Sequence, residues 1–440
     1  MYIGGCHATG RALPCTRAVQ GQAWRMSNKV RRIAIIGAGI SGLTCAYRLS
    51  RDNDVTLFEQ NNYLGGHTHT HDVSIEGEQL AVDTGFIVFN DRTYPRFRAL
   101  LAELDCESQV TEMSFSLRRG ALEYNGHNLN TLFAQRRNLL SPTFWRMILD
   151  ILKFNRLAKA VPASDTTTLG QFLNNHAFSE TFRHHYILPM AAAIWSTGDR
   201  DIEDFPLGML CAFFSHHGLL DLKDRPTWYV IKGGSQRYVE RLSAHLGRCR
   251  TEQRVERVTR LNHGVSLQFK DSEETFDEVV LACHSDEALA LLSDPSPEEV
   301  RILSAMPYGS NVVTLHTDES LMPKTARAWA SWNYHGEPGR DRPQLTYWMN
   351  RLQALSTRTP ILVTLNASDA IAPAKVIKTL RYAHPVYDAS FLEAQNAWSE
   401  ISNHRRTHYC GAYWRYGFHE DGVWSAERVV DELKSGSGER

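Results

Sequence analysis

The sequence predicts an α/β fold in which a domain built on a parallel sheet is interrupted by a second, mixed α+β domain. Three observations predict it. An apolar run that suits a buried strand, Val30-Arg31-Arg32-Ile33-Ala34-Ile35-Ile36, leads through a glycine-rich turn into a helix over 43–50 and a second strand, Val55-Thr56-Leu57-Phe58. A similar strand recurs mid-chain at Phe276-Asp277-Glu278-Val279-Val280-Leu281-Ala282, followed by a helix over 286–292, and a strand near 408–410 and a helix over 422–433 close the chain. Between these pieces, residues 91–224 read as mainly helical, 255–269 as short strands, and 308–366 alternate like antiparallel strands.

Length and composition agree with that division. A chain of 440 residues is long enough for two domains that share one ligand, and 42% hydrophobic with 22% charged residues is an ordinary globular balance. A net charge of -1 gives no general attraction to nucleic acid, so no nucleic-acid partner is expected. The eight cysteines form no Cys-x-x-Cys pair and read as free thiols of a reducing compartment, which places the protein in the cytoplasm. His67, His69 and His71 alternate, as they would on one face of a strand, and no metal site is read there. Residues 1–25 carry Arg11, Arg17 and Arg25 with no acid and no apolar signal core, so 1–27 are expected to be a disordered extension outside the fold.

The glycine-rich turn is Gly37-Ala38-Gly39-Ile40-Ser41-Gly42, and Glu59 lies 22 positions after Gly37 at the tip of the next strand. That is the context of a Rossmann-type dinucleotide site. Gly37 permits the turn, Gly39 lets a pyrophosphate approach the backbone, and Gly42 lets helix and strand pack closely. The helix opened by Ile40 and Ser41 presents unpaired N–H groups and a positive dipole end to the diphosphate. Glu59 would accept hydrogen bonds from ribose hydroxyls. It is followed by Gln60 rather than arginine, so a 2′-phosphate is not expected, which leaves NAD or the ADP half of FAD.

The continuation Glu59-Gln60-Asn61-Asn62-Tyr63-Leu64-Gly65-Gly66-His67 resembles the flavin-containing amine oxidase and protoporphyrinogen oxidase superfamily, in which a Gly-Gly pair six residues after the glutamate wraps the FAD diphosphate. His67 stands where that superfamily usually has arginine, a departure from the standard amine oxidases. The segments 82–90, 188–196, 229–235 and 416–422 are similar to a bacterial subgroup of predicted NAD/FAD-binding oxidoreductases. The resemblance implies non-covalent FAD in a glutathione-reductase-type, Rossmann-like domain. Its pieces are expected at 28–95, 225–300 and 400–435, with the substrate domain at 96–224 and 301–399. It also implies that Val255 touches the adenine through its backbone. Glu420, Asp421, Gly422 and Val423 are placed at the start of the last helix, near the flavin pyrimidine, where a helix N-terminus stabilises the charge of reduced flavin.

Flavin does the redox step, while protein supplies position and electrostatics. The expected activity is that of an FAD-dependent oxidoreductase, an oxidase or desaturase that takes hydride from an amine or lipid-like substrate. The alternatives are a flavin-dependent isomerase of unsaturated lipids and a non-catalytic flavin-bound partner of lipid-modifying enzymes. No second Gly-x-Gly-x-x-Gly follows, so no dedicated NAD(P)H domain is expected and oxygen or a quinone is the anticipated acceptor. Trp195, Trp228, Tyr229, Lys232, Tyr413 and Trp414 are candidates to line the pocket. His184-His185 and His216-His217 are candidate acid–base pairs, and the catalytic set stays unassigned. Residues 139–157 read first as a core-facing amphipathic helix. Their mix of Phe, Trp and Ile with Arg146, Lys153 and Arg156 also fits a helix lying on a membrane, which would add a peripheral contact at the inner face.

Overall fold

In the computed structural model, residues 30–195, 198, 202–221, 223–336 and 344–435 are described; the expectation for 1–27 lies outside them. Five parallel strands form the first sheet, in the order Cys249–Arg250, Asp54–Phe58, Arg32–Ile36, Glu278–Leu281, Thr407–Tyr409. Its central strands are apolar throughout because both faces are covered, and Ile33, Ala34, Ile35, Val279, Val280 and Leu281 have no exposed surface. The expected βαβ unit and its mid-chain and C-terminal partners therefore meet in one sheet, although some 350 residues separate the outermost of them in sequence.

A second sheet of seven strands runs in the order Val376–Pro385, Tyr308–His316, Leu362–Leu365, Gln344–Trp348, Trp332–Gly336, Phe115–Arg119, Leu122–Asn125. It joins chain from before and after the mid-chain strands of the first sheet. The 91–224 stretch is thus less uniformly helical than its pattern suggests. Phe115–Arg119 pairs in parallel with Trp332–Gly336, and Ser108–Thr111 pairs with Trp228–Ile231. Phe115–Arg119 also turns back on Leu122–Asn125 as a hairpin, but the partners that bind these short strands into their sheets come from more than 100 residues away, where no local periodicity announces them.

Two helix boundaries also differ from the sequence reading. The first helix is Ile40–Leu49 and the last is His419–Ser435, each beginning three residues earlier than expected. Glycine is a weak helix former, and the reading therefore started both helices at or after a glycine. Tertiary packing overrides that preference, because Gly42 and Gly422 each sit inside a helix at a point of close approach.

Segments far apart in the chain are tied together at Asp83. Its buried carboxylate accepts hydrogen bonds from Ser235 N (2.9 Å) and Oγ (2.7 Å), Thr70 Oγ1 (2.5 Å) and Gln353 Nε2 (2.9 Å). Burial raises its pKa to about 6 against the pull of those donors.

Candidate active site

The glycine-rich turn is shaped by contacts that only hydrogen can satisfy. Gly37 has φ +102°, and a Cβ there would lie 2.8 Å from the carbonyl oxygen of Ala282; a Cβ on Gly42 would lie 1.9 Å from the oxygen of Gly37. Gly39 is different: no protein atom lies within 4 Å of where its Cβ would be. The backbone at Gly39 is thus bare toward open space while its neighbours are sealed. The helix that follows has Gly39 as its N-cap, no side-chain cap and no acid in its first turn, so the N–H groups at Ile40, Ser41 and Gly42 are left for a ligand. Gly65 N donates to Ala38 O at 2.8 Å, and the adjacent Gly66 has φ +60° with a Cβ position only 3.1 Å from Gly39 Cα. The Gly65-Gly66 loop therefore closes over the turn, as a diphosphate cradle requires.

Glu59 is only 7% exposed, and its carboxylate accepts from Ala38 N (2.9 Å), Asn61 N (2.9 Å) and Asn61 Nδ2 (2.7 Å). Those bonds aim it at the turn and leave Oε2 with a single partner, so a ribose hydroxyl can still be accepted. Gln60 is exposed beside it. Val255 is buried just beyond the segment in which Gln253 N donates to Glu59 O at 2.9 Å.

The last helix packs alongside the first with their N-terminal ends together, Cys45 Sγ lying 3.5 Å from Ala426 O further along. A Cβ on Gly422 would lie 2.6 Å from Ile40 Cγ2 and 3.0 Å from Ser41 Oγ, and Val423 is wholly buried. Two helix N-termini thus converge beside the glycine-rich turn. The Glu420 side chain, however, is engaged elsewhere. Its carboxylate accepts from Arg96 N (3.1 Å) and Phe97 N (2.9 Å), which caps the Pro95–Glu103 helix and leaves only its backbone for a ligand. Asp421 accepts from Phe418 N at 3.0 Å, and burial pushes its pKa up to about 7. His419, in the same segment, stacks on Phe86 with ring centroids 3.5 Å apart and bonds Thr68 Oγ1 (2.9 Å) and Tyr238 OH (3.1 Å). Burial lowers it to about 3, so it is a neutral strut.

His67 leaves the row of histidines. His69 and His71 stay together with ring centroids 4.0 Å apart, and only His71 lies within the Thr70–Ile75 strand. The His67 ring instead meets His284 (6.0 Å), Tyr382 (5.2 Å) and His384 (5.3 Å). Its Nε2 bonds the Ala383 carbonyl at 3.1 Å, so Nε2 carries the proton and Nδ1 is an acceptor. His384 is fixed the other way. Asn366 Nδ2 donates to Asn311 Oδ1 (2.7 Å) and Asn311 Nδ2 donates to His384 Nδ1 (2.9 Å), so the His384 proton sits on Nε2. Desolvation and the neighbouring imidazoles hold His67 well below the usual range, and desolvation with His284 takes His384 to about 4. His284 stacks on Tyr308 at 4.3 Å. His67, His384 and Tyr308 are half-buried, so each still borders open space. Tyr413, whose ring lies 6.4 Å from Tyr308, and Tyr387 have buried hydroxyls with no hydrogen-bond partner.

The other candidates fall at several places. Tyr413 and Trp414 are buried near this space, the latter with an unpartnered Nε1. Trp195 packs on Phe205 and Phe213, and Tyr229 stacks on Phe89, both as core. Trp228 lies over His217, whose Nδ1 bonds the Phe213 carbonyl at 3.0 Å, and His216 is exposed. His184 faces Glu180 at 3.2 Å. Lys232 is no active-site group: its side chain is 64% exposed and pairs with Glu107 at 3.0 Å. The signal that misled there was a motif match, not a local environment. His284, Tyr308, Tyr382 and His384 have no motif of their own and come together only through the tertiary fold.

A sequence model described as flavin containing amine oxidoreductase matches residues 40–374, well over half of the chain. The chain belongs to the flavin containing amine oxidoreductase family. Its structure is similar to a CLA-producing fatty acid isomerase from P. acnes (TM-score 0.65, 15% identity, 93% of this chain and 99% of that one). It is also similar to a cyclohexylamine oxidase from Brevibacterium oxydans IH-35A (TM-score 0.66, 15% identity, 92% and 100%) and to a proposed protoporphyrinogen oxidase from Exiguobacterium sp. 255-15 (TM-score 0.68, 14% identity, 92% and 99%). At these identities the likeness is one of fold. A tryptophan 2-monooxygenase from Allorhizobium ampelinum is 53% identical over 45 residues, which span 10% of this chain and 6% of that protein. The protein is accordingly an FAD-dependent oxidoreductase with a Rossmann-like domain. The open backbone at Gly39, the sealed turn around it and the paired helix N-termini suit an FAD diphosphate.

Proposed function

We propose that this member of the family oxidises a C–H bond of an uncharged substrate, an amine in its neutral form or a lipid-like chain, and passes the electrons to a small acceptor such as oxygen or a quinone. The observation that carries this reading is the aromatic and imidazole-rich lining assembled by His67, His284, Tyr308, His384 and Tyr413 next to the cofactor cradle. His67 follows directly on Gly66, and His284 lies two residues beyond Ala282, whose carbonyl abuts Gly37. Bound FAD supplies a two-electron acceptor at N5. The chain's own groups then position the substrate. His384 offers a hydrogen-bond donor at Nε2 and His67 an acceptor at Nδ1, and neither brings a charge into the space at neutral pH. The unpartnered Tyr387 and Tyr413 hydroxyls are further places for a substrate's polar atom.

The test is anaerobic bleaching of the bound flavin by a panel of primary amines and unsaturated fatty acids, followed by product analysis. Bleaching by one class with matching loss of hydride from that substrate supports the reading. Turnover that consumes no acceptor would replace it with isomerisation, and flavin that no substrate reduces would leave a non-catalytic partner.

A further inference from the structure

The helix Pro142–Ala158 has more apolar surface than the core uses. Phe144, Met147, Phe154 and Ala158 turn inward and are buried. A second stripe one residue on, Trp145, Leu149 and Leu152, is 44%, 60% and 44% exposed. The chain leading into the helix carries further exposed leucines, Leu129 at 76%, Leu139 at 46% and Leu140 at 89%. Trp145 Nε1 donates to the Leu139 carbonyl at 2.9 Å, which holds the indole against this approach segment. Isolated exposed apolar residues are normal on any protein. Here six of the twelve large exposed ones among the described residues fall within residues 129–152.

Charge is concentrated in the same place. Residues 129–160 contain Arg136, Arg137, Arg146, Lys153, Arg156 and Lys159 against one acid, Asp150, which is buried and paired with Arg146 at 3.3 Å. The chain as a whole carries -1. At the C-terminal end of the helix, Leu152, Arg156 and Lys159 border an open cleft whose other wall includes Arg92 and Lys223 together with Asp221, which pairs with Lys159 at 2.6 Å, and Asp224, so four cations face two acids there. Apolar side chains flanked by an interfacial tryptophan and a local excess of cations match the boundary between lipid headgroups and acyl chains. No helix among the described residues is long and apolar enough to cross a membrane, so such a helix would lie in the plane of the surface.

We propose that the face formed by Leu129, Leu139, Leu140 and the outer side of the Pro142–Ala158 helix is a peripheral docking surface for an anionic lipid bilayer. The inference goes beyond the redox reading and does not depend on which substrate the flavin oxidises. A substrate partitioned into the bilayer would reach this protein at the face that docks.

The experiment is sedimentation of the full-length, flavin-loaded protein with phosphatidylcholine vesicles, with and without phosphatidylglycerol, at low and high salt. The protein is expected to pellet with the anionic vesicles at low salt and to be released by high salt. The double variant Leu140→Asp, Leu149→Asp should bind roughly tenfold more weakly or worse, because it removes two inserted side chains. The variant Arg156→Gln, Lys159→Gln should lose mainly the preference for anionic vesicles. Circular dichroism and bound flavin in both variants confirm that the fold is kept. No binding to anionic vesicles at low salt, or binding that the Leu140/Leu149 variant leaves unchanged, overturns the proposal. So does concentration-dependent self-association that this variant abolishes while vesicles are ignored.

Discussion

Gly422 and Ile40 touch so closely that a Cβ on the glycine would lie 2.6 Å from the isoleucine Cγ2. This contact sets the convergence of two helix N-termini beside the glycine-rich turn, and both residues belong to elements that open within the cofactor site. The Ile40 methyl is held on a branched carbon in a buried helix and has little room to retreat. Gly422→Val should push the two helix ends apart, cost about 1–3 kcal/mol of stability and weaken flavin retention. Thermal unfolding with flavin-release measurements checks it; unchanged values in both would show that the helix ends are not coupled.

Gly39 and Gly42 should respond differently although both belong to one motif. The Gly42 Cβ position is 1.9 Å from Gly37 O, so Gly42→Ala should fail to fold or fold poorly. Gly39 has extended backbone at φ -71° and no protein neighbour there, so Gly39→Leu should leave the flavin-free protein nearly as stable as the parent and abolish FAD retention. Circular dichroism separates fold from binding in each.

Glu59 serves the fold as well as the cofactor. Glu59→Ala should weaken FAD by roughly 1–3 kcal/mol. It should also lower the stability of the flavin-free protein, because Ala38 N–H and the Asn61 amide lose their acceptor. Titration of apoprotein with FAD, alongside its own unfolding curve, measures the two effects separately.

Asp83 should matter without touching any ligand. Asp83→Ala strands donors from Ser235, Thr70 and Gln353 and should cost about 3 kcal/mol, read from denaturant unfolding.

Acid should loosen the fold through its neutral histidines. His419 is lowered to about 3, so between that pH and the ordinary value near 6.5 the unfolded chain binds a proton that the folded chain refuses. Its contribution is therefore complete above about pH 6.5 and is lost as pH falls toward 3. His217, His316 and His384, each lowered to about 4, act in the same direction. Asp421, raised to about 7, and Asp83, raised to about 6, act oppositely, because the folded chain keeps protons that the unfolded chain has released. The balance predicts a midpoint that rises between pH 4.5 and 6.5, with a shallower rise in His419→Gln; an identical slope in that variant would remove His419 from the account.

What could be read in the sequence was short-ranged. Gly37, Gly39 and Gly42, the acid at Glu59 and the Gly65-Gly66 pair lie within 30 residues, and the strand–turn–helix context restricts what they can bind. The parallel sheet followed from the same apolar runs. His67 was visible only as an oddity where arginine is usual. Its partners His284 and His384 sit 217 and 317 residues further on, and only the pairing of Tyr308–His316 with Val376–Pro385 brings Asn311 to His384. Glu420 shows the same limit: its place in the last helix was legible, and so was helix in the stretch that holds Pro95–Glu103, but not that the one would cap the other.

The central claim is that FAD lies on the open backbone at Gly39 and is held without a covalent bond. The most direct measurement is the absorbance of the purified protein, with identification of whatever denaturation releases, compared between the parent and Gly39→Leu. The account predicts equimolar FAD released intact from the parent, and a folded Gly39→Leu protein that is colourless and cannot be reconstituted. A parent that binds no FAD on reconstitution, or a Gly39→Leu protein that keeps its flavin, would contradict it.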